Sequence, residues 1–152
     1  ETFVQKGKDL GERMENCFAQ EWDEGANKVV IIGADAPMLP LYFLRQAFGA
    51  LNWHDLVFGP AFDGGYWLVG AKEKTPPIFK DIQWSSSRVM EETIQKLNGS
   101  DVDATLLPFW YDIDDVEDVR RVKWHSELIQ KQNFEQAQHL FQTVAQLPIE
   151  FR

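Results

Sequence analysis

Four aspartates follow apolar segments of this 152-residue chain and could take part in chemistry: Asp35, Asp63, Asp112 and Asp114. Carboxylate oxygens are the ligands that hard divalent cations prefer, and a carboxylate can also act as a general base. If the segment around Ile113 is extended, alternation places Asp112 and Asp114 on the same side. Together with Asp35 or Asp63 they would form an oxygen-rich cage for a hard cation.

The stretch from Val57 to Gly70 surrounds Asp63 with turn residues. An apolar strand breaks at Gly-Pro, Asp63 is followed by Gly64 and Gly65, and a second apolar run begins at Tyr66. Paired glycines allow a sharp turn and the close approach of a ligand to the backbone. Two interpretations remain open: a functional carboxylate, or a hairpin-like turn in which Asp63 bonds its own backbone and the glycines supply positive φ.

Asp35 follows a continuous β-branched run, Val29–Ile32. Such runs are typical of strands buried on both faces of a parallel sheet, and open α/β sheets bind ligands just past the carboxyl ends of their strands. Asp35 could instead cap the helix that Pro40 opens. Because Asp35 lies several residues upstream of Leu41, the ligand-binding interpretation is favoured.

Four helices should position these acids. Asp9 is predicted to cap the first helix, with Glu12 as its capping-box partner, and one of the serines after Trp84 is predicted to cap the third. The second helix should bury an apolar face, and the fourth should begin after Asp114 or Asp115 as its N-cap. The predicted inward residues of the second helix are Leu41, Leu44, Ala47, Phe48 and Leu51. The tail from Val122 to Phe151 has helical apolar spacing.

Composition indicates a single globular domain, with 44% hydrophobic and 26% charged residues. A net charge of −9 argues against nucleic-acid and membrane-surface partners, since both require a concentrated basic patch. No apolar run is long enough to span a bilayer and no signal peptide opens the chain, so a cytoplasmic location is expected. The single cysteine, Cys17, rules out an internal disulfide and a multi-thiolate zinc site.

Five motifs in order resemble those of a known family. They are Gln5-Lys6-Gly7-Lys8-Asp9-Leu10-Gly11-Glu12-Arg13-Met14, Gly33-Ala34-Asp35-Ala36-Pro37, Gly59 to Gly70, Trp84-Ser85-Ser86, and Asp112 to Val119. The chain is similar over residues 3–122 to the glycosyltransferase A-like family described as radical-SAM/selenodomain-associated transferases. That family is a relative of the molybdenum-cofactor and 2-phospholactate guanylyltransferases.

The resemblance implies a Rossmann-like three-layer α/β sandwich of the nucleotide-diphospho-sugar transferase type. It also implies a nucleotide or nucleotide-sugar donor, a small acceptor, and Mg²⁺ or Mn²⁺ held by Asp35 with Asp112 or Asp114. Asp63 would be the catalytic base or acceptor anchor. The nucleotide would contact Gln5, Asp9, Gly11 and Arg13, and the acceptor would contact Gly64, Gly65, Tyr66, Trp84 and Ser85.

The chain also departs from the family pattern. The family's first strand and its glycine-rich phosphate loop are not found in the sequence, and Lys6 and Lys8 do not replace a loop of converging amides. We therefore expect an N-terminally truncated domain over residues 1–122, with residues 123–152 as a helical extension packed on it. An exposed sheet edge predicts a homo-oligomer. The leading function is a metal-dependent glycosyl or nucleotidyl transferase, and the alternative is a non-catalytic, oligomerising binding module derived from that fold.

Overall fold

The structure, a computed structural model, describes residues 4–36 and 38–131. In those ranges helices and strands are mixed along the chain. They are α1 (Leu10–Asp23), β1 (Lys28–Ile32), α2 (Leu41–Ala50), β2 (Leu56–Pro60), β3 (Tyr66–Lys72), α3 (Val89–Leu97), β4 (Ala104–Leu106) and α4 (Val116–Lys131). Among these described helices, none is long and apolar enough to cross a membrane.

The four strands form one mixed sheet in the order β1-β3-β2-β4. β3 is antiparallel to both β1 and β2, with Val69 opposite Ile31 on one side and Phe58 on the other, whereas β4 is parallel to β2. The expectation that β1 belongs to a parallel sheet is therefore wrong. The short turn between β2 and β3 cannot accommodate a crossover, so β3 returns as a hairpin strand and separates β1 from β2.

β1 is also less buried than its composition suggests. In the described part of the chain it pairs only with β3, and Ile32 is 46% exposed at its end. A continuous β-branched run therefore does not here mark a strand buried on both faces. The run forms an edge strand, because β1 and β4 are the two outer strands of the described sheet.

The helices cover both faces of the sheet and confirm the predicted three-layer α/β fold. α1 packs Met14 and Phe18 on one face, against Phe58 and Val69. α2 packs on the opposite face, where it buries Phe43 against Trp67. Strand alternation separates the two clusters, because successive side chains point to opposite faces.

The inward face of α2 was only partly predicted. Ala47 and Leu51 are buried as expected, but Leu41 is 49% exposed and Phe48 is 45% exposed. Phe43, which the predicted set leaves out, is buried and contacts both Trp67 and Trp110. The buried face of this short helix is therefore rotated from the predicted one toward those two indoles.

Helix capping agrees with the sequence at α1 and α4 but not at α3. The Asp9 carboxylate accepts a hydrogen bond from Glu12 N at 2.8 Å, while the Glu12 carboxylate accepts from Lys8 N rather than from Asp9 N. Asp115 accepts from Asp118 N at 2.9 Å, as an N-cap does. The prediction of a serine N-cap for α3 is wrong, because Arg88 occupies that position and its side chain makes no capping hydrogen bond.

α4 continues without a break across residue 122, which was the predicted boundary between the domain and its extension. It packs Val122 against Met38, with Trp110 and Tyr111 alongside. The predicted helical residues from 132 to 152 lie outside the described residues.

Candidate functional site

The strand directions bring the four aspartates to the same end of the sheet, past the carboxyl ends of three strands. β1, β2 and β4 run in the same direction, because β1 and β2 are both antiparallel to β3 and β4 is parallel to β2. Asp35 follows β1, Asp63 follows β2, and Asp112 and Asp114 follow β4. The mixed sheet thus gives the arrangement that a parallel sheet was expected to give.

Three of these aspartates form a compact carboxylate cluster, consisting of Asp63, Asp112 and Asp114. One carboxylate oxygen from each lies within 4.8 Å of the others. Asp35 is outside this trio but lines the same cleft. Between residues 4 and 131, Pro37 aside, the ion pairs formed by Lys, Arg and His involve none of the four. Clustered carboxylate oxygens without a basic partner are a donor set that fits Mg²⁺ or Mn²⁺.

The proton affinities within the cluster reflect the crowding of negative charge. Partial burial is the largest cause that raises the pKa of Asp112, and the charges of Asp63, Asp114 and Asp35 raise it further. Burial is also the largest cause that raises the pKa of Asp114, followed by the charges of Asp63 and Asp35. A bound cation would reverse this repulsion, since an opposite charge favours the ionised carboxylate.

Hydrogen bonds and close packing against the residues before α3 fix the conformation of the turn that carries Asp63. The Asp63 carboxylate accepts a hydrogen bond from Gly65 N at 2.8 Å, and Gly64 has φ +92°. A Cβ on Gly64 would lie 2.1 Å from the Ser87 carbonyl oxygen, and Gly64 O accepts from Met90 N at 2.9 Å. The turn interpretation is confirmed for the Asp63 hydrogen bond and for the positive φ of Gly64, although Gly65 has no positive φ. The Asp63 carboxylate also belongs to the cluster, and its functional role stays a prediction.

Backbone hydrogen bonds join the loops that carry the other aspartates. Past β4 the chain continues alongside β2, with Trp110 N donating to Pro60 O at 3.1 Å. Ile113 N then donates to Asp35 O at 3.0 Å, which links the acidic segment to the loop after β1. Gly33 leaves room for the Asp35 side chain, because a Cβ there would lie 2.4 Å from Asp35 Oδ1.

The carboxylates lie at a cleft of about 740 Å³. Its lining includes nine residues that the sequence and the family resemblance singled out: Gln5, Asp35, Asp63, Gly65, Tyr66, Trp84, Ser85, Asp112 and Asp114. Tyr66 and Trp84 meet edge to face at 6.4 Å, and burial raises the pKa of the Tyr66 phenol. Ser85 has φ +60°, an uncommon backbone conformation for a residue with a side chain.

Four of the residues assigned to ligands by the resemblance are not part of the cleft lining: Asp9, Gly11, Arg13 and Gly64. Asp9 caps α1, and Arg13 Nε donates to Gly7 O at 3.5 Å. A Cβ on Gly11 would lie 2.7 Å from Trp84 Nε1, so this glycine lets α1 approach the cleft wall. Asp9 and Arg13 therefore make contacts close to the segment that carries Gln5, and the two glycines allow close packing instead of lining the cavity.

The sequence did not predict the apolar wall of the cleft, which Leu10, Met14, Ile31 and Ile32 provide. The alternation along β1 and the stripe of α1 contain these residues, but both patterns also fit an ordinary core. Only Leu10 and Ile32, each 46% exposed, show that part of this surface is open. The cleft thus combines an acidic end with an apolar wall.

Behind the acidic segment lies a cluster of rings between the β4 loop and α4. Tyr111 Oη and His125 Nδ1 are 2.5 Å apart, and Trp110 stacks on Tyr111 at 5.4 Å. Burial raises the pKa of Tyr111 to about 12 and lowers the pKa of His125. Near neutral pH the phenol is therefore protonated and the imidazole neutral, and the imidazole tautomer sets which of the two groups donates.

Comparisons with known proteins agree with this geometry. A crystal structure of a protein from Desulfovibrio desulfuricans G20, provisionally assigned as a nucleotide-diphospho-sugar transferase, superposes with a TM-score of 0.81 at 31% sequence identity. The match covers 93% of this chain and 62% of that one, so this chain spans about three fifths of its relative's length. The α/β fold is accordingly of the nucleotide-diphospho-sugar transferase type.

Among curated proteins, no sequence matches this chain. A family of uncharacterised proteins conserved in bacteria, DUF2064, matches residues 1–86, which is more than half of the 152 residues. This range contains α1, β1, Asp35 and the Asp63 turn, but not the acidic segment before α4. The chain belongs to the DUF2064 family.

Proposed function

We propose that this chain forms the metal- and acceptor-binding part of a transferase that moves a glycosyl or nucleotidyl group from a nucleotide-activated donor. The observation that carries the proposal is the carboxylate cluster: three carboxylate oxygens from two loops within 4.8 Å, at one end of a cleft large enough for a nucleotide-sugar. The match in fold to a protein provisionally assigned as a nucleotide-diphospho-sugar transferase supports it.

In this proposal the chain's own residues position and neutralise rather than attack. Asp112 and Asp114 hold a divalent cation, with Asp63 or Asp35 completing the ligand set. Such a cation neutralises phosphate charge on a donor, which is the main requirement of phosphate-linked transfer. Tyr66 and Trp84 offer an edge-to-face ring pair at the cleft wall, suited to an acceptor or sugar ring. Asp63 is the group best placed to receive an acceptor proton.

The first experiment is calorimetric titration of Mn²⁺ into the purified 152-residue chain, followed by a panel of nucleoside triphosphates and nucleotide-sugars. We expect Mn²⁺ to bind and one donor class to bind only when Mn²⁺ is present. Donor binding that is the same with Mn²⁺ and with a chelator would contradict the proposal. Asp35→Asn should weaken Mn²⁺ binding without unfolding the chain, and an unchanged affinity would remove Asp35 from the ligand set.

A second candidate function, a non-catalytic module that assembles with another copy, is favoured by β1. Among the described strands β1 has one neighbour, and edge strands present unpaired backbone groups that template pairing. Light scattering at micromolar concentration distinguishes the two candidates when combined with the titration. A stable oligomer that binds no Mn²⁺ and no nucleotide would favour the assembly module, whereas Mn²⁺-dependent donor binding favours the transferase.

A further inference from the structure

α4 contacts both ends of the acidic segment, residues 111–115. At the amino end of the segment, Tyr111 Oη and His125 Nδ1 share a hydrogen bond of 2.5 Å, and His125 stacks on Trp124 at 5.7 Å. The residue that follows Tyr111 is Asp112 of the carboxylate cluster. The Asp112 backbone therefore lies one residue from a hydrogen bond to a side chain of α4.

The carboxyl end of the same segment is attached to the first turn of α4. Asp118 accepts hydrogen bonds from Asp114 N at 3.1 Å and from Asp115 N at 3.2 Å. Arg121 pairs with Asp118, and its guanidinium lies 5.9 Å from the centre of the Tyr111 ring. Arg121 thus links the attachments at the two ends.

The contacts with α4 oppose the mutual repulsion of the clustered carboxylates. Three ionised carboxylates whose oxygens approach within 4.8 Å repel one another, because like charges at this distance disfavour each other. A segment free to move would relax by separating the charges, and cation affinity would fall with the loss of preorganisation. The backbone hydrogen bond from Ile113 N to Asp35 O restrains the middle of the segment, and the contacts with α4 restrain its two ends.

We propose that Tyr111 and His125 are positioning residues: their hydrogen bond fixes Asp112 against Asp63 and so sets the affinity of the carboxylate cluster for a divalent cation. This inference rests on the proposed function, because it concerns the same cation. Neither side chain belongs to the cleft lining, so both act through the backbone of the acidic segment. His125 reaches the site from α4, beyond the range of the family match.

The test compares variants of the full chain by the Mn²⁺ dissociation constant, measured from the electron paramagnetic resonance signal of free Mn²⁺. Tyr111→Phe removes only the hydroxyl, His125→Leu removes the hydrogen-bonding ring nitrogen, and His125→Gln keeps a side chain that can both donate and accept. We expect Tyr111→Phe and His125→Leu each to weaken Mn²⁺ binding about tenfold, with the double variant no weaker than either. His125→Gln should recover part of the loss.

Matched controls exist on the same chain. Tyr42→Phe removes the hydroxyl of an exposed tyrosine on α2, and His54→Gln changes a histidine that pairs with Asp103 before β4. Both should keep Mn²⁺ affinity within about twofold of wild type, which is the scale of a surface change. Wild-type affinity in Tyr111→Phe, or an equal loss in Tyr42→Phe, would overturn the inference.

Amide hydrogen exchange separates failure of this inference from failure of the proposed function. If wild type binds no Mn²⁺, the proposed function fails, but the positioning role still predicts faster exchange at residues 112–115 in Tyr111→Phe and His125→Leu than in Tyr42→Phe. Faster exchange confined to those residues would support the positioning role. Exchange that is unchanged there would overturn it.

Discussion

The two ends of the sheet treat aspartate in opposite ways. Before β2 and β4, Asp55 pairs with Lys72 at 3.2 Å and accepts from Asp103 N at 3.0 Å, and Asp103 contacts His54 at 2.8 Å. Past the carboxyl ends of the same strands, Asp63, Asp112 and Asp114 meet one another, and the described ion pairs include none of them. Among the described residues, therefore, the aspartates at one end have basic partners and the clustered aspartates at the other end have none.

Proton affinity follows this difference. The hydrogen bond from the Asp103 backbone, followed by that from Lys72, lowers the pKa of Asp55. Burial, followed by neighbouring carboxylates, raises the pKa of Asp112. A fold under selection for stability alone has no reason to gather unpaired acids, because like charges destabilise the compact state. The unbalanced end is therefore the one where an external cation is expected.

The largest predicted effect is on metal binding. Asp63→Asn removes one charge from the carboxylate cluster but keeps an oxygen that can accept from Gly65 N, so the turn should survive. We expect Mn²⁺ affinity to fall at least about a hundredfold, more than a change outside the ligand set costs. Titration followed by electron paramagnetic resonance measures the loss.

The control for this change is Asp103→Asn at the opposite end of the sheet. It removes the same formal charge from the same chain, so it reports any effect of net charge alone. Mn²⁺ affinity should stay within about twofold of wild type, since a distant exposed charge is largely screened. An equal loss in both variants would mean that Mn²⁺ binds diffusely to an acidic surface.

A smaller effect is predicted for replacing either of two glycines that have the same φ angle. Gly64, in the Asp63 turn, and Gly25, after α1, both have φ +92°. A Cβ at Gly64 meets the Ser87 carbonyl oxygen at 2.1 Å, whereas a Cβ at Gly25 has no heavy atom within 4 Å. Gly25→Ala should cost about 1 kcal/mol for the backbone alone, and Gly64→Ala about 2 kcal/mol or more, because packing strain adds to it.

Urea denaturation of the two alanine variants measures this difference directly. The shared φ makes Gly25→Ala the reference for conformational cost, so the excess in Gly64→Ala reports how tightly the turn is held against α3. Equal losses of unfolding free energy would show that the Asp63 turn can move away from Ser87. The turn would then not be a rigid support for the carboxylate.

Local signals predicted the parts of this molecule that depend on neighbours in sequence. The Asp9 and Asp115 caps, the Asp63 turn and the approximate strand positions follow from short-range hydrogen bonds and periodicity. The position of β3 between β1 and β2 could not be predicted this way. A β-branched run such as Val29–Ile32 fits a parallel or an antiparallel neighbour, and strand order is decided by pairing between distant segments.

The acidic character of the candidate site could be predicted from the sequence, but only some of the residues that form it could be. Acids after strands indicated a cation site, and the family resemblance supplied their roles. The structure adds that Asp63 joins Asp112 and Asp114, that Arg13 contacts Gly7, and that Tyr111 contacts His125. Each of these depends on side-chain direction or on contacts between separate elements, which spacing along one segment does not contain.

The smallest predicted effect is on stability without metal, and its sign differs between the two ends of the sheet. The lowered pKa of Asp55 means that its ionised form stabilises the fold above the unfolded-state pKa, and this contribution is lost as pH falls through the folded pKa. Asp55→Asn should therefore destabilise the chain at pH 7 by less than about 1 kcal/mol, since solvent screens the pair. The difference from wild type should vanish at low pH.

The raised pKa of Asp112 has the opposite consequence. The native state binds more protons than the unfolded chain, so ionisation of Asp112 lowers stability as pH rises through the folded pKa. Asp112→Asn should slightly stabilise the metal-free chain at pH 7, and this gain should disappear below the ordinary aspartate pKa. Urea denaturation with a chelator at several pH values measures both variants. If both lost stability at pH 7, the carboxylate cluster would not be under electrostatic strain, and the reason to expect a cation there would be removed.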